Sequence, residues 1–187
     1  MTNTRRLSTI ALLSAISFLL MLFDFPLLPM ASFLKIDFSI LPMLIGLVVL
    51  DTKGAMSILL LRSVLKIVLN NQGVNTYIGL PMNMVALGIF VLVFGIIWKK
   101  KQTNQRLLIA GLLGSIGLTV AMLALNYVYA IPLYARFANF DIASILGVAN
   151  YMLAVVLPFN LIEGAIFTIA FWLVYLLLQP VLKRYEQ

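Results

Sequence analysis

Three asparagines and one glutamate are the residues of this sequence best suited to bind a polar solute, because each interrupts a long apolar run. They are Asn83, Asn126, Asn160 and Glu163. An amide offers N–H donors and a carbonyl acceptor, and a carboxylate accepts hydrogen bonds. Polar groups in such runs usually face a cavity or the interior of a helix bundle. The alternative is that each asparagine only joins neighbouring helices, a contact worth about 0.6 kcal/mol.

The heights of the three asparagines within their runs predict one shared pocket. With a rise of about 1.5 Å per residue, Asn83, Asn126 and Asn160 lie roughly 9, 8 and 14 Å from the run ends that adjoin the longer loops. Asn160 and Glu163 are three residues apart and share a helix face. We therefore expect all four side chains to reach one volume in the same half of the bundle.

The residue types that are missing exclude most enzyme chemistry. The chain has no histidine and no cysteine, which removes histidine-based triads, thiol nucleophiles and the usual zinc sites. It also lacks a phosphate-binding glycine-lysine loop, paired carboxylates and a nucleophile elbow. We predict no catalytic residues, no metal site and no enzyme activity, so uphill transport would require a partner that hydrolyses nucleotide.

The composition is that of a membrane protein. Hydrophobic residues make up 63% and charged residues 10%, and the mean hydropathy is +1.10, which leaves too little polar surface for a water-soluble globule. The net charge of +7 resides in short basic clusters between apolar runs. That placement indicates membrane orientation and no nucleic-acid partner.

Six apolar runs approach the roughly 20 residues that a helix needs to cross a bilayer. They cover residues 7–28, 36–50, 55–69, 77–98, 107–131 and 151–178. The polar residues 51–54 between the second and third runs predict a tight turn. The expected fold is an all-α integral membrane protein, with six transmembrane helices in one compact bundle and a single domain over residues 1–187.

Basic residues predict the orientation. If the N-terminus is inside, external segments hold only Lys35 and Arg136, whereas cytoplasmic segments hold Arg5, Arg6, Lys53, Lys99, Lys100, Lys101, Arg106, Lys183 and Arg184. The positive-inside rule then predicts that both termini are cytoplasmic, in a bacterial cell membrane. Four aromatic residues near run ends fit interfacial positions: Tyr77, Trp98, Tyr151 and Tyr175.

Three other features predict close contacts. Residues 26–35, the first external loop, carry many apolar side chains, so we expect this loop to fold back over the bundle or to lie in the lipid interface. Arg62 and Lys66 share a helix face, and their candidate partners are Glu163, Asp51 or another protein. The Ala11 and Ala15 pair allows close approach of another helix.

Four segments together resemble the substrate-binding S components of energy-coupling factor (ECF) vitamin importers, and the likeness covers essentially the whole chain. The Ala-x-x-x-Ala of Ala11 and Ala15 is generic to such proteins. Three further segments resemble the riboflavin-specific members: FLKIDFSILP at 33–42, GLPMN at 79–83 and LPFNLIEG at 157–164.

The resemblance implies that riboflavin is the transported ligand and that there is no prosthetic group. The first external loop would close over the vitamin, with Leu28, Met30, Ala31, Phe33 and Leu34 flanking the isoalloxazine ring. Asn83, Asn126 and Asn160 would bond the ring edge and the ribityl hydroxyls, and Lys35 and Gly79 complete the implied site. These proteins commonly have lysine at the position of Glu163, although a carboxylate can also accept from ribityl hydroxyls.

The resemblance also implies partners. The Ala11 and Ala15 face would dock onto a transmembrane coupling subunit that carries two cytoplasmic ABC ATPases, and the subunit would topple to release its cargo inside. Two other interpretations stay open. One is an S component for another vitamin, such as thiamine or biotin. The other is a small oligomeric channel or structural membrane protein, which would carry polar residues along the full height of a helix face.

Overall fold

The computed structural model describes residues 2–28 and 34–182, and these residues form a helical bundle. The helices are α1 (Asn3–Met21), α2 (Ile40–Val49), α3 (Thr52–Leu69), α4 (Val74–Ile97), α5 (Asn104–Leu125), α6 (Ile131–Phe137), α7 (Ile142–Leu146), α8 (Val148–Asn150) and α9 (Leu157–Leu182). Two π-helical segments interrupt them, π1 (Asn126–Ala130) between α5 and α6 and π2 (Tyr151–Val156) between α8 and α9.

The chain is a multi-pass membrane protein. Four helical stretches are long and apolar enough to cross a bilayer: Asn3–Met21, Val74–Ile97, Asn104–Phe137 and Val148–Pro180. The helix α2 is apolar but has only 10 residues, and the 18 residues of α3 include Lys53, Arg62 and Lys66. Each of the six predicted runs overlaps one helix or one continuous helical stretch.

The first run ends earlier than its apolar composition suggests. Helix α1 stops at Met21, and β1 (Phe25–Pro26) pairs antiparallel with β2 (Lys35–Ile36). Proline has no N–H to donate, and it disfavours the helical conformation at the residue before it. Pro26 therefore favours extended chain here. The sequence did not predict this short strand pair, which begins and ends the first loop.

Asp51 organises the turn between α2 and α3. Its carboxylate accepts from the Gly54 N–H at 2.6 Å and from Arg6 Nη2, with 2.8 Å to each oxygen. Lys99 Nζ donates to the Leu50 carbonyl at 2.8 Å. The predicted chain reversal is confirmed, although residues 52–54 form the first turn of α3. These contacts join the start of α1, the end of α4 and the α2–α3 turn at one end of the bundle.

We expect the ionisation of Asp51 to make the stability of the fold depend on pH. Burial would raise the pKa of Asp51, but the Gly54 N–H and Arg6 outweigh it and hold that pKa below the ordinary 3.8. The carboxylate therefore stabilises the fold above pH 3.8, and this contribution is lost as pH falls through the lowered pKa.

Asp51→Asn should therefore lower the thermal unfolding midpoint in detergent by roughly 1–3 °C at neutral pH, a small shift because the ion pair is exposed. The difference from the unsubstituted protein should shrink as pH falls below 3.8 and through the lowered pKa of Asp51, because the carboxylate is then protonated and both proteins lack the charge. Scanning fluorimetry across this pH range measures it. A difference of constant size at every pH would contradict the assignment.

Small residues hold α5 and α9 together. A side chain at Gly111 would collide with Thr168, and one at Gly164 would collide with Ser115. Gly114 faces the ring of Phe90, where an added Cβ would lie 3.1 Å from the nearest ring atom. The small residues of the fifth apolar run therefore pack inside the bundle.

An aromatic cluster fills the bundle at the end that holds Asp51. Trp98 is 1% exposed and packs edge-on against Phe171 and Tyr175, with ring centroids 5.3 and 4.9 Å apart. The prediction that Trp98, Tyr151 and Tyr175 are interfacial was wrong, because all three side chains are buried inside the protein. Edge-to-face packing explains the burial of Trp98 and Tyr175. Tyr77 is 59% exposed, and its interfacial position stays a prediction.

Candidate functional site

A cavity of about 560 Å³ lies at the end of the bundle where α1 and α3 end and α4 begins. The basic residues Arg5, Arg6, Lys53 and Lys99 belong to the opposite ends of these helices. The volume suits a small organic ligand. Its walls combine apolar side chains of α4, α5 and α9 with amide, phenol and charged groups.

The structure brings most of the described predicted site residues to this cavity. Six of them line it: Leu34, Lys35, Gly79, Asn83, Asn126 and Glu163. Leu28 does not line it, but packs with Leu34 against a neighbouring apolar cluster centred on Ile142, Tyr151, Val155 and Val156. The two described pieces of the first loop, residues 26–28 and 34–35, therefore fold back against the bundle. The predicted residues Met30, Ala31 and Phe33 lie outside the described residues.

Asn83 turns the oxygen of its amide towards α3. Arg62 donates from Nη2 to Asn83 Oδ1 at 2.8 Å. A guanidinium has only donors, so the oxygen of the amide must be the atom that faces it. Among the described residues none accepts a hydrogen bond from the Asn83 NH₂ group, which leaves two donors for a ligand in the cavity.

Asn126 is held by a tyrosine from the neighbouring helix. The Tyr151 hydroxyl donates to Asn126 Oδ1 at 2.7 Å, and Asn126 Nδ2 donates to the Met122 carbonyl at 2.8 Å. Both residues line the cavity, and each is the first residue of a π segment. Such π segments are frequent at functional sites. One amide hydrogen and one lone pair of Asn126 remain for a ligand.

Asn160 lies outside the cavity, although its height in the sixth apolar run predicted that it would reach it. It is 1% exposed, does not line the cavity, and donates from Nδ2 to the Val156 carbonyl at 2.6 Å. Its Oδ1 has no hydrogen-bond partner among the described residues. An unpaired buried carbonyl costs about 1–3 kcal/mol, so this oxygen is an open acceptor beside the site.

Charged groups of both signs line the cavity, and most of them were not predicted as site residues from the sequence. Lys35 pairs with Asp24 at 2.9 Å across the strand pair. Asp37 accepts from the Ser39 N–H at 2.7 Å, and Lys66 donates to Asn70 at 2.5 Å. Glu163 is 7% exposed. Asp37 lies within the segment 33–42 that carried the family resemblance, which was the available signal for it.

Arg62 has partners that the sequence did not suggest. It is fully buried and bridges three helices, donating to Asn83 on α4 and to the Met21 sulfur at the end of α1, at 2.9 Å. Asp51 is instead paired with Arg6, and the described residues show no Arg62–Glu163 ion pair. The two intramolecular partnerships that we considered for Arg62 were therefore wrong.

Gly79 leaves open space on the cavity side of α4. A Cβ atom there would have only the Tyr134 hydroxyl within 4.0 Å. Both residues line the cavity. A larger side chain at position 79 would therefore extend into the cavity and not into a packed helix interface.

Ala11 and Ala15 lie on the outer surface of the bundle. Both are exposed, whereas Ile10, Ser14, Ser17 and Phe18 form the buried face of α1. The alanine face is therefore available to another helix or to lipid.

Comparisons with known proteins agree with this architecture. A family model for the substrate-specific component of ECF transporters matches residues 5–175. The riboflavin transporter RibU of Streptococcus thermophilus is 59% identical over 184 residues, covering 98% of this chain and 87% of that protein. RibU of Leuconostoc mesenteroides is 44% identical, covering 99% of this chain and 96% of its own.

A more distant relative and a solved structure extend the likeness. The riboflavin transporter FmnP of Bacillus subtilis is 29% identical, covering 97% of this chain and 96% of its own. A solved structure, described as the S component of a bacterial ECF transporter, superposes with a TM-score of 0.79 at 27% identity. It covers 97% of this chain and 99% of that chain.

Proposed function

The chain belongs to the substrate-specific components of ECF transporters, and from this membership we propose that it captures riboflavin for import. The observation that carries the proposal is the cavity of about 560 Å³, in which apolar walls adjoin the oriented amides of Asn83 and Asn126. A flat, largely apolar ring with carbonyl acceptors on one edge suits such a site. The three relatives named above are riboflavin transporters, which favours riboflavin over thiamine or biotin.

The proposed binding site consists of residues that line the cavity and of others beside it. Asn83 donates to acceptors of the isoalloxazine ring, and Asn126 and Glu163 bond the ring edge or the ribityl hydroxyls. Leu34, Lys35 and Gly79 complete the described wall. The proposal also includes Asn160, whose buried oxygen is an open acceptor, and Leu28, Met30, Ala31 and Phe33 of the first loop, which would cover the bound ring.

The proposed topology has six membrane crossings, both termini in the cytoplasm of a bacterium and a single domain over residues 1–187. It is supported by the separation of the two ends of the bundle. The basic residues Arg5, Arg6, Lys53 and Lys99 lie at one end, and the cavity lies at the other. With the basic end inside, the cavity faces outward, where the vitamin is captured. Helices α2 and α3 are short or charged and would cross while sheltered by their neighbours.

The proposed transport cycle needs partners. The sequence carries no phosphate-binding loop of its own, so we assign energy conversion to a transmembrane coupling subunit with two cytoplasmic ABC ATPases. The exposed Ala11 and Ala15 face of α1 is the proposed docking surface. The chain itself is not an enzyme and carries no prosthetic group, and riboflavin is its cargo.

Absorbance of the detergent-purified protein tests the proposed ligand. Bound flavin absorbs visible light, so we expect a yellow protein that releases riboflavin on denaturation. The protein freed of pigment should quench the fluorescence of added riboflavin, and thiamine or biotin in excess should not compete. A colourless protein that also fails to quench riboflavin fluorescence would contradict the assignment. Competition by thiamine or biotin would redirect it to that vitamin.

A further inference from the structure

Arg62 is a cation at membrane depth with no carboxylate bonded to it in the described structure. It is 0% exposed and lies in the middle of α3. A guanidinium keeps its charge in almost any environment, and a buried charge within a membrane helix is costly unless it has a function or a partner. Its described hydrogen bonds go to neutral groups, Asn83 Oδ1 and the Met21 sulfur.

The bond to Asn83 has a directional consequence. A free asparagine amide can present either its oxygen or its NH₂ group to a ligand with similar ease. Arg62 can only donate, so it holds the oxygen of Asn83 on its own side. The reverse orientation would place two N–H groups against a buried cation and leave Arg62 without this acceptor, which is strongly unfavourable.

We propose that Arg62 is a positioning residue that makes Asn83 a donor-only contact in the binding site. Arg62 does not line the cavity, whereas Asn83 does, so the arginine acts on the ligand through the amide. The bond thereby selects ligands that present acceptors, such as ring carbonyls, to this wall. The inference rests on the proposed riboflavin site and adds a determinant of its specificity.

A double-mutant cycle tests this coupling, with riboflavin affinity measured by fluorescence quenching. Arg62→Met should weaken binding by about 10- to 100-fold, the effect of losing an oriented hydrogen bond in a buried site. In an Asn83→Ala background the same change should alter affinity by less than about twofold, because there is no amide left to orient. A purely structural role for Arg62 predicts equal losses in both backgrounds, and that result would overturn the inference.

Asn83→Asp provides a variant that should fold well. A carboxylate has nearly the same shape and still accepts from Arg62, but it offers the ligand no N–H donor. We expect riboflavin affinity to fall as far as in Asn83→Ala, while the thermal unfolding midpoint stays at or above that of the unsubstituted protein. Riboflavin binding of undiminished affinity in Asn83→Asp would overturn the donor role.

Two further variants, together with the unsubstituted protein, distinguish a failure of the role of Arg62 from a failure of the proposed function. Ser63→Ala removes a buried hydroxyl next to Arg62 that bonds only its own helix, at Leu59, and should leave affinity unchanged. Arg62→Lys keeps a charged donor and should recover part of the affinity lost in Arg62→Met; equal losses in the two variants would count against positioning by hydrogen bond. If the unsubstituted protein fails to bind riboflavin, the proposed function fails, whereas normal binding with an additive cycle overturns only the role of Arg62.

Discussion

Replacing Gly79 with tryptophan is expected to abolish riboflavin binding while leaving the fold intact. A Cβ at this position meets only the Tyr134 hydroxyl, at 4.0 Å, so an indole has room to enter the cavity of about 560 Å³. It would occupy space that the isoalloxazine ring needs. Because overlap of two rigid rings cannot be relieved by small shifts in a packed bundle, we expect affinity to fall by more than about 1000-fold, or over 4 kcal/mol.

Fluorescence quenching by the purified variant measures this effect, and two controls define its cause. Gly79→Ala adds one methyl group into open space and should bind riboflavin within a few-fold of the unsubstituted protein. Ile96→Trp places the same indole on the same helix at a position that is 63% exposed, and should not change affinity. A Gly79→Trp protein that binds riboflavin normally would show that the vitamin binds elsewhere.

The helices were predictable because their cause is local. Long apolar runs must satisfy their backbone hydrogen bonds internally within lipid, and only helices do so with one segment. Each run accordingly contains a helix, and the break at Asp51 followed from its polar neighbours. The end of α1 was placed too late, since apolar composition continues past Met21 while Pro26 favours extended chain. Hydropathy does not register that change in backbone preference.

The sequence predicted how deep the site residues lie along their helices, but not the direction in which each side chain points. Counting residues placed Asn83, Asn126 and Asn160 in the same half of the bundle, and Glu163 was added because it shares a helix face with Asn160. Of these four residues, Asn83, Asn126 and Glu163 line one cavity. Asn160 is three residues from Glu163, so their directions differ by about 60° around the helix. That difference is enough for the Glu163 side chain to line the cavity while Asn160 donates to the Val156 carbonyl at the end of π2. Depth counting cannot resolve it.

Pairing between distant segments was the least predictable part. Arg62 and Asn83 are 21 residues apart and lie on different helices, and nothing in either local sequence selects the other. Tyr151 looked like an interfacial aromatic because it begins an apolar run. The structure instead shows it buried and bonded to Asn126. Composition indicates that a polar side chain needs a partner, whereas only the packing of helices chooses which one.

Replacing Ala11 or Ala15 with tryptophan is expected to abolish riboflavin uptake without weakening riboflavin binding. Both alanines are exposed on α1, while the buried face of that helix carries Ile10 and Ser14. Small residues four apart let two helix backbones approach closely in a membrane, where association depends on van der Waals contact more than on hydrophobic burial. An indole at either position would hold a partner helix away and remove that contact.

Three measurements separate docking from binding: vesicle uptake of labelled riboflavin, copurification of the coupling subunit, and affinity by fluorescence quenching. We expect uptake and copurification to be lost and affinity to stay within about twofold, since the outward face of α1 does not line the cavity. Ile16→Trp is the matched control, exposed on α1 and about 100° around the helix from Ala15, and should transport normally. Lost affinity in the alanine variants would mean that this face supports the pocket, whereas undiminished uptake would place docking on another surface.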